Sequence, residues 1–226
     1  MNAGLANLFS LKSHLIGIAL GPADTRFDPV ITDIGLGVAA RIENFCDRKL
    51  SRVVGDMHVC MADRATISLP RNPIEEITRI GIKFDEADGW EYGTDNVPVI
   101  QTLSQQSGIV YLTAADGSGA GGTYFNTDAG PFYAQLQFTY TGGYFFETLE
   151  PDEPGYPSAV PAGATVLPDD LRLAWLTQCR RVWSAFDKLG AKILDDSRAA
   201  NAALAALDWP PEGKKILEHY RRLQLV

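Results

Sequence analysis

Apolar side chains recur at helical spacing in four stretches of the chain and alternate in the stretches between. Leu5, Leu8, Phe9, Leu15 and Ile16 fall on one face, with Lys12 among them, and this predicts a short amphipathic helix over 2–20 that Gly21-Pro22 ends. Val30, Ile34, Val38, Ile42 and Phe45 predict a second helix over 28–49, with Asp28 as its cap and Pro29 at the first helical position. Gly35 and Gly37 each weaken that helix by up to about 1 kcal/mol relative to Ala, which points to a close helix neighbour or an open position. A third helix over 168–189 starts at Pro168, carries Asp169 and Asp170 in its first turn, and aligns Leu171, Trp175, Cys179, Val182 and Phe186, with Gly190 as C-cap. Trp175 and Trp183, eight residues apart on this helix, read as core residues. After an Ala-rich stretch over 199–207 and the stop at Trp209-Pro210-Pro211, a last helix runs from Glu212 to about Leu223. It places Ile216, Leu217, Tyr220 and Leu223 on one side, among the bases Lys214, Lys215, Arg221 and Arg222.

Between residues 52 and 141 the period shortens to two. Val53, His58–Cys60, Thr66–Leu69, Ile80–Phe84, Ile109–Leu112 and Tyr133–Tyr140 read as successive strands of an antiparallel meander, and Gly142-Gly143 stops the last. Residues 114–131, rich in Gly, Ala, Ser and Asp, and residues 150–168, with five prolines among acids, read as loops too polar and too broken for core structure. The expected architecture is α+β: a small helical bundle packed with an antiparallel β-sheet, long loops and a C-terminal helical arm. Residues 1–190 form the core domain in this reading, and residues 191–226 the arm.

A chain of 226 residues with 46% hydrophobic and 21% charged residues is long enough to close a core and is compositionally an ordinary folded protein. Acids outnumber bases 28 to 20, and the net charge of −8 argues against broad nucleic-acid binding. The acid excess lies in residues 1–168, with 20 acids against 10 bases; residues 169–226 carry 8 against 10. Scatter of surface charge and a tail that meets an acidic partner both account for this asymmetry. Cys46, Cys60 and Cys179 are odd in number and widely separated, so a disulfide scaffold or zinc knuckle is not indicated and a reducing compartment is expected. No stretch reaches the 18 or so apolar residues of a membrane span, and the N-terminal run lacks the basic flank of a signal peptide.

Candidate chemistry is sparse. Gly117–Gly122 matches GxGxxG, yet no helical stripe follows to aim a dipole at a pyrophosphate, so a flexible glycine loop is preferred over a nucleotide site. His14, His58 and His219 lie apart without metal-ligand spacing. Asp85, Glu86 and Asp88 lack the calcium-loop pattern and read as a solvated turn. No nucleophile elbow or marked carboxylate pair occurs. The sequence therefore indicates no catalytic, metal or cofactor residue. The C-terminal stripe is what needs a partner, either its own domain or a groove in another protein.

Four short stretches, in order, carry a family resemblance. Ala39–Arg48 is similar to the second helix of the head-tail connector, or adaptor, family of long-tailed bacteriophages and gene-transfer particles. Leu69–Ile80 resembles that family's strand-turn-strand, Phe138–Tyr144 its strand ending in a Gly-Tyr turn, and Leu167–Ala174 the Pro-led start of its third helix. The resemblance implies a non-enzymatic structural protein of the virion, made in the host bacterial cytoplasm. Such a protein forms a ring, twelve-fold like the portal, under the portal vertex. It would extend the DNA channel without gripping DNA, offer a platform to the next neck or tail protein, and need no membrane or cofactor. It also implies that Ile216, Leu217, Tyr220, Arg221 and Arg222 contact the portal. Another neck or tail-completion protein is the alternative within this class, and a small-molecule enzyme using Gly117–Gly122 the alternative outside it.

Overall fold

The computed structural model describes residues 3–15, 25–62, 64–85, 87–94, 97–113, 134–188 and 208–222. All of loop 114–131, with the glycine loop 117–122 inside it, the Ala-rich stretch 199–207, Gly190 and Leu223 lie outside the described residues. The fold is α+β, with four helices and antiparallel sheets among the described residues. It divides into two compact units. One comprises Met1–Asp47, Phe145–Ala162 and Val166–Arg221, and the other Arg48–Tyr144, Gly163–Thr165 and Arg222–Val226.

The first unit is helical. α1 (Leu8–Leu15), α2 (Asp28–Cys46), α3 (Asp169–Lys188) and α4 (Pro211–His219) bury Leu11, Ile31, Ile34, Val38, Ile42, Leu171, Trp175, Cys179, Val182 and Leu217. Of the stripes read from spacing, Ile34, Val38 and Ile42 of α2 and Leu171, Trp175, Cys179 and Val182 of α3 are buried, while Val30 and Phe45 are half-buried. Gly35 has the expected close neighbour: a Cβ there would sit 2.0 Å from the Ala3 carbonyl oxygen and 2.7 Å from Leu11. Its own carbonyl accepts from the Trp175 indole N–H at 3.0 Å. Trp183 meets the Phe27 ring edge-on at 5.8 Å.

Two details of these helices depart from the reading. Asp28 is the first helical residue and not a cap; its carboxylate takes the Lys12 ammonium at 2.6 Å. The helix closes three residues early, at Asp47, which adopts a left-handed conformation (φ 50°) that lets its N–H reach back to the last turn.

The Pro-rich segment is the exposed, turn-rich loop expected, apart from two strand residues near its end, and carboxylates around its start bond to backbone N–H groups. Glu147 accepts from Leu149 and from the Ser158 N–H and hydroxyl, and these bonds hold its carboxyl below the usual range against the opposing effect of desolvation. Glu150 accepts from the N–H groups of Leu8 (2.8 Å) and Phe9 (3.0 Å), so a residue 142 positions away along the chain caps α1.

The second unit is a pair of sheets. β1 (Val53–Met61), β3 (Ile74–Lys83), β4 (Glu91–Tyr92) and β7 (Gln135–Gly142) form a sheet of order β1-β7-β3-β4. β2 (Thr66–Ser68), β5 (Val99–Ser104) and β6 (Ile109–Thr113) form another of order β2-β6-β5. β8 (Tyr144–Phe145) and β9 (Thr165–Val166) pair separately. The meander expectation is corrected here, because β7 inserts between β1 and β3, and β2 belongs to a different sheet from both its chain neighbours. The reason lies in β7: its alternating Leu136, Phe138 and Tyr140 are fully buried, so it takes the central position and leaves β1 at the rim. Ile67, Leu69, Ile74, Ile82, Val110 and Leu112 complete that core.

Gly142-Gly143 ends β7 for a steric reason. Gly143 has φ +95°, and a Cβ there would lie 2.5 Å from the Ser51 carbonyl oxygen.

Candidate assembly surface of the C-terminal segment

α4 begins after Pro210, in extended conformation, with Pro211 at the first helical position. Within the first unit its apolar stripe is partly spent. Leu217 is fully buried, and its carbonyl accepts from the Cys46 thiol at 3.6 Å. Ile216 and Tyr220 are half-buried. The Tyr220 hydroxyl donates to the Asp170 carboxylate at 2.6 Å, in the first turn of α3. Arg41 lies over the Trp209 ring at 5.4 Å and holds the approach to the helix. The buried Cys179 thiol of α3 is pushed far up by desolvation and is chemically quiet.

Arg221 is exposed, as are Lys214, Lys215 and His219, with Glu212 and Glu218 beside them. Arg222, itself part of the second unit, donates to the Ser68 hydroxyl at 2.8 Å and to the Ser68 carbonyl at 2.6 Å. Its charge acts on His58, whose pKa is lowered first by burial and then by Arg222, with Asp56 opposing. Beside them Arg71 pairs with Asp56 at 2.7 Å and donates to Ser51, and its backbone N–H donates to the Tyr140 hydroxyl at 3.2 Å. Burial pushes the Tyr140 pKa up to about 12. Nearby, the buried Arg48 donates to the Asn72 carbonyl and covers the Tyr144 ring at 5.2 Å.

Of the five residues singled out by sequence, the structure thus buries Leu217, gives Tyr220 and Arg222 specific partners, and leaves Arg221 fully open. Their partners Cys46, Asp170 and Ser68 carried no signal in the sequence, because each lies far away along the chain. Among the described residues no group of three or more His, Cys, Asp or Glu side chains could hold a metal ion. No helix among them is long and apolar enough to cross a membrane.

No protein-family model matches the chain, and no curated protein does. Solved structures match across nearly its whole length. A chain from the virion of a native gene transfer agent particle superimposes with a TM-score of 0.53 at 14% identity, covering 98% of this chain and 92% of that one. A chain from the neck of an empty gene transfer agent particle, computed with C6 symmetry, gives 0.54 at 13% identity, with coverage of 100% and 93%. The fold resembles a gene transfer agent neck component. A chain from the native particle's neck, computed with C12 symmetry, gives 0.50 at 13% identity over 96% of this chain and 88% of that one. At these identities the likeness to the gene transfer agent chains is one of fold.

Proposed function

We propose that the chain is a non-enzymatic structural protein of a phage-like particle, located in the virion at the head-tail interface. It forms a ring, twelve-fold like the portal, beneath the portal protein, extends the DNA channel and carries the next neck or tail protein. One observation carries this reading: over its whole length the chain has the fold of a chain from a particle's neck. The net charge of −8 supports it, since a channel that does not grip phosphate lets DNA pass without breaking stable Lys or Arg contacts.

Ile216, Leu217, Tyr220, Arg221 and Arg222 are the proposed portal-contact segment, in two roles. Leu217, Tyr220 and Arg222 hold the segment on the protein through their own partners. Arg221, the exposed lysines Lys214 and Lys215, and the open part of Ile216 face the portal.

Native mass measurement of the protein mixed with the portal ring encoded in the same genome tests the reading. One copy bound per portal subunit is expected. A protein that ignores the portal overturns the function, and Arg221→Glu binding like the wild type overturns the contact segment.

A further inference from the structure

The second unit carries two sheet edges that are bare among the described residues and long enough to pair. β1 hydrogen bonds to β7 alone, so its outer row of N–H and C=O groups has no strand beside it. Its first residues bulge, with Gly55 at φ +69°, and Asp56–Met61 run regularly after that. β1 contains neither Pro nor Lys, the usual blocks to edge pairing, and instead exposes apolar side chains. Met57 is 65% exposed, Val59 46% and Met61 41%. These three alternate, so they form one stripe on one face, at the rim of the sheet.

The other bare edge is β5, which pairs with β6 alone; β2 and β4 have three and two residues. β5 has no charged residue, and Val99 at its start is 52% exposed. Beside it an open groove of about 430 Å³ is lined by Ile77, Arg79, Ile80, Val97, Val99 and Ile100. A row of protruding apolar side chains fits a groove whose lining is mainly apolar, with Thr78, Arg79 and Thr94 as its polar members, and the two are different surfaces of the same unit.

We infer that β1 of one copy adds to the β5 edge of a second copy, with Met57 and Val59 entering the groove. The ring that this pairing generates rests on the neck reading above. Charge selects the occupant: chains of net charge −8 repel one another, and the exposed residues of β1 and all of β5 are uncharged, so copies meet here without opposing like charges. Because donor and acceptor edges differ, the contact is head-to-tail and propagates until it closes, whereas β1 against β1 would stop at a dimer.

The test uses two full-length variants, M57D/V59D on the donor edge and V99D/T102D on the acceptor edge, with M57L/V59I as a conservative control. All four positions are exposed, and circular dichroism checks the fold. Native mass is measured for each protein alone, for an equimolar mixture of the two acidic variants, and for each with the portal ring. Each acidic variant is expected to stay monomeric and to lose ring formation on the portal, the control to assemble like the wild type, and the mixture to give a 1:1 heterodimer that grows no further. Acidic variants that assemble on the portal like the wild type overturn the inference and leave the neck reading intact. Loss of portal binding with self-association untouched gives the edge to the portal instead and also overturns it, as does a wild type that self-associates neither free nor on the portal. A wild type that ignores the portal while the mixture dimerises overturns the neck reading and leaves the seam standing.

Discussion

The helical unit and the sheet unit hold themselves together by different means. Around α2 and α3 the buried set is mainly Ile, Val, Leu, Cys and Trp side chains, with the fully buried Gln178 among them and the Lys12–Asp28 pair at its margin. The sheet unit adds to its apolar core a floor of charged and polar groups: Arg71 with Asp56 and Ser51, Arg52 with Glu75 at 2.7 Å, Arg48 on Asn72, and His58 beside Arg222. Apolar burial responds little to pH and ionic strength, whereas ion pairs and a half-buried histidine with a lowered pKa respond to both. The difference predicts which perturbations each unit will feel.

Leu217→Ala strikes the helical unit's apolar contact and should have the largest effect, about 2–5 kcal/mol of stability. Thermal melting would show this loss nearly unchanged between pH 6 and 8 and between low and high salt. A strong salt dependence would break the contrast. Arg71→Met removes the guanidinium while keeping an unbranched apolar stem and leaves Asp56 without its partner, at an expected cost of about 2 kcal/mol. Repeating that comparison in molar salt should shrink the cost, because the pair is part-exposed.

The acid response comes next in size. His58 has a folded-state pKa below the unfolded value of about 6.5, so below that pH the unfolded chain takes up the proton preferentially. Stability is therefore full above about pH 6.5 and falls as the pH drops toward the folded pKa. His58→Gln should flatten that acid limb in a pH series of melting curves. His14 in the helical unit is lowered too, first by burial and then by Arg172 and Arg180, so His14→Gln should remove a separate share. Equal slopes in wild type and both variants would count against this account. Asp47→Gly sharpens the comparison at its smallest scale: relief of the left-handed conformation should raise the melting point by the equivalent of about 0.5–1 kcal/mol.

The same contrast explains what the sequence disclosed. Helix positions were legible because α2 and α3 bury one stripe each, and the 3.6-residue period of Ile34, Val38 and Ile42 is a local property. The close neighbour of Gly35 was legible from a glycine in an otherwise strong helix. The order β1-β7-β3 was not, since nothing between residues 53 and 83 announces that a strand beginning at Gln135 will divide them. Four short or polar strands, β4, β5, β8 and β9, lacked the alternation that marks β7. In the C-terminal segment the stripe itself was plain, while its partners Cys46, Asp170 and Ser68 were hidden by distance along the chain. The Gly-Tyr turn and the Pro-led helix carried the resemblance because steric demands at Gly143 and at a helix start restrict the residue types allowed there.

The Glu150 carboxylate on the first turn of α1 also has a consequence in time. Eight residues are too few to hold a helix in water without help, and here the help emerges from the ribosome 142 residues later. At 5–20 residues per second that is a delay of roughly 7–30 s. The first helix to be synthesised thus gains this cap only after the sheet strands β1 to β8 have left the ribosome, and until then the side-chain cap of its first turn is the local one from Asn7, whose Oδ1 accepts from the Ser10 N–H at 2.8 Å.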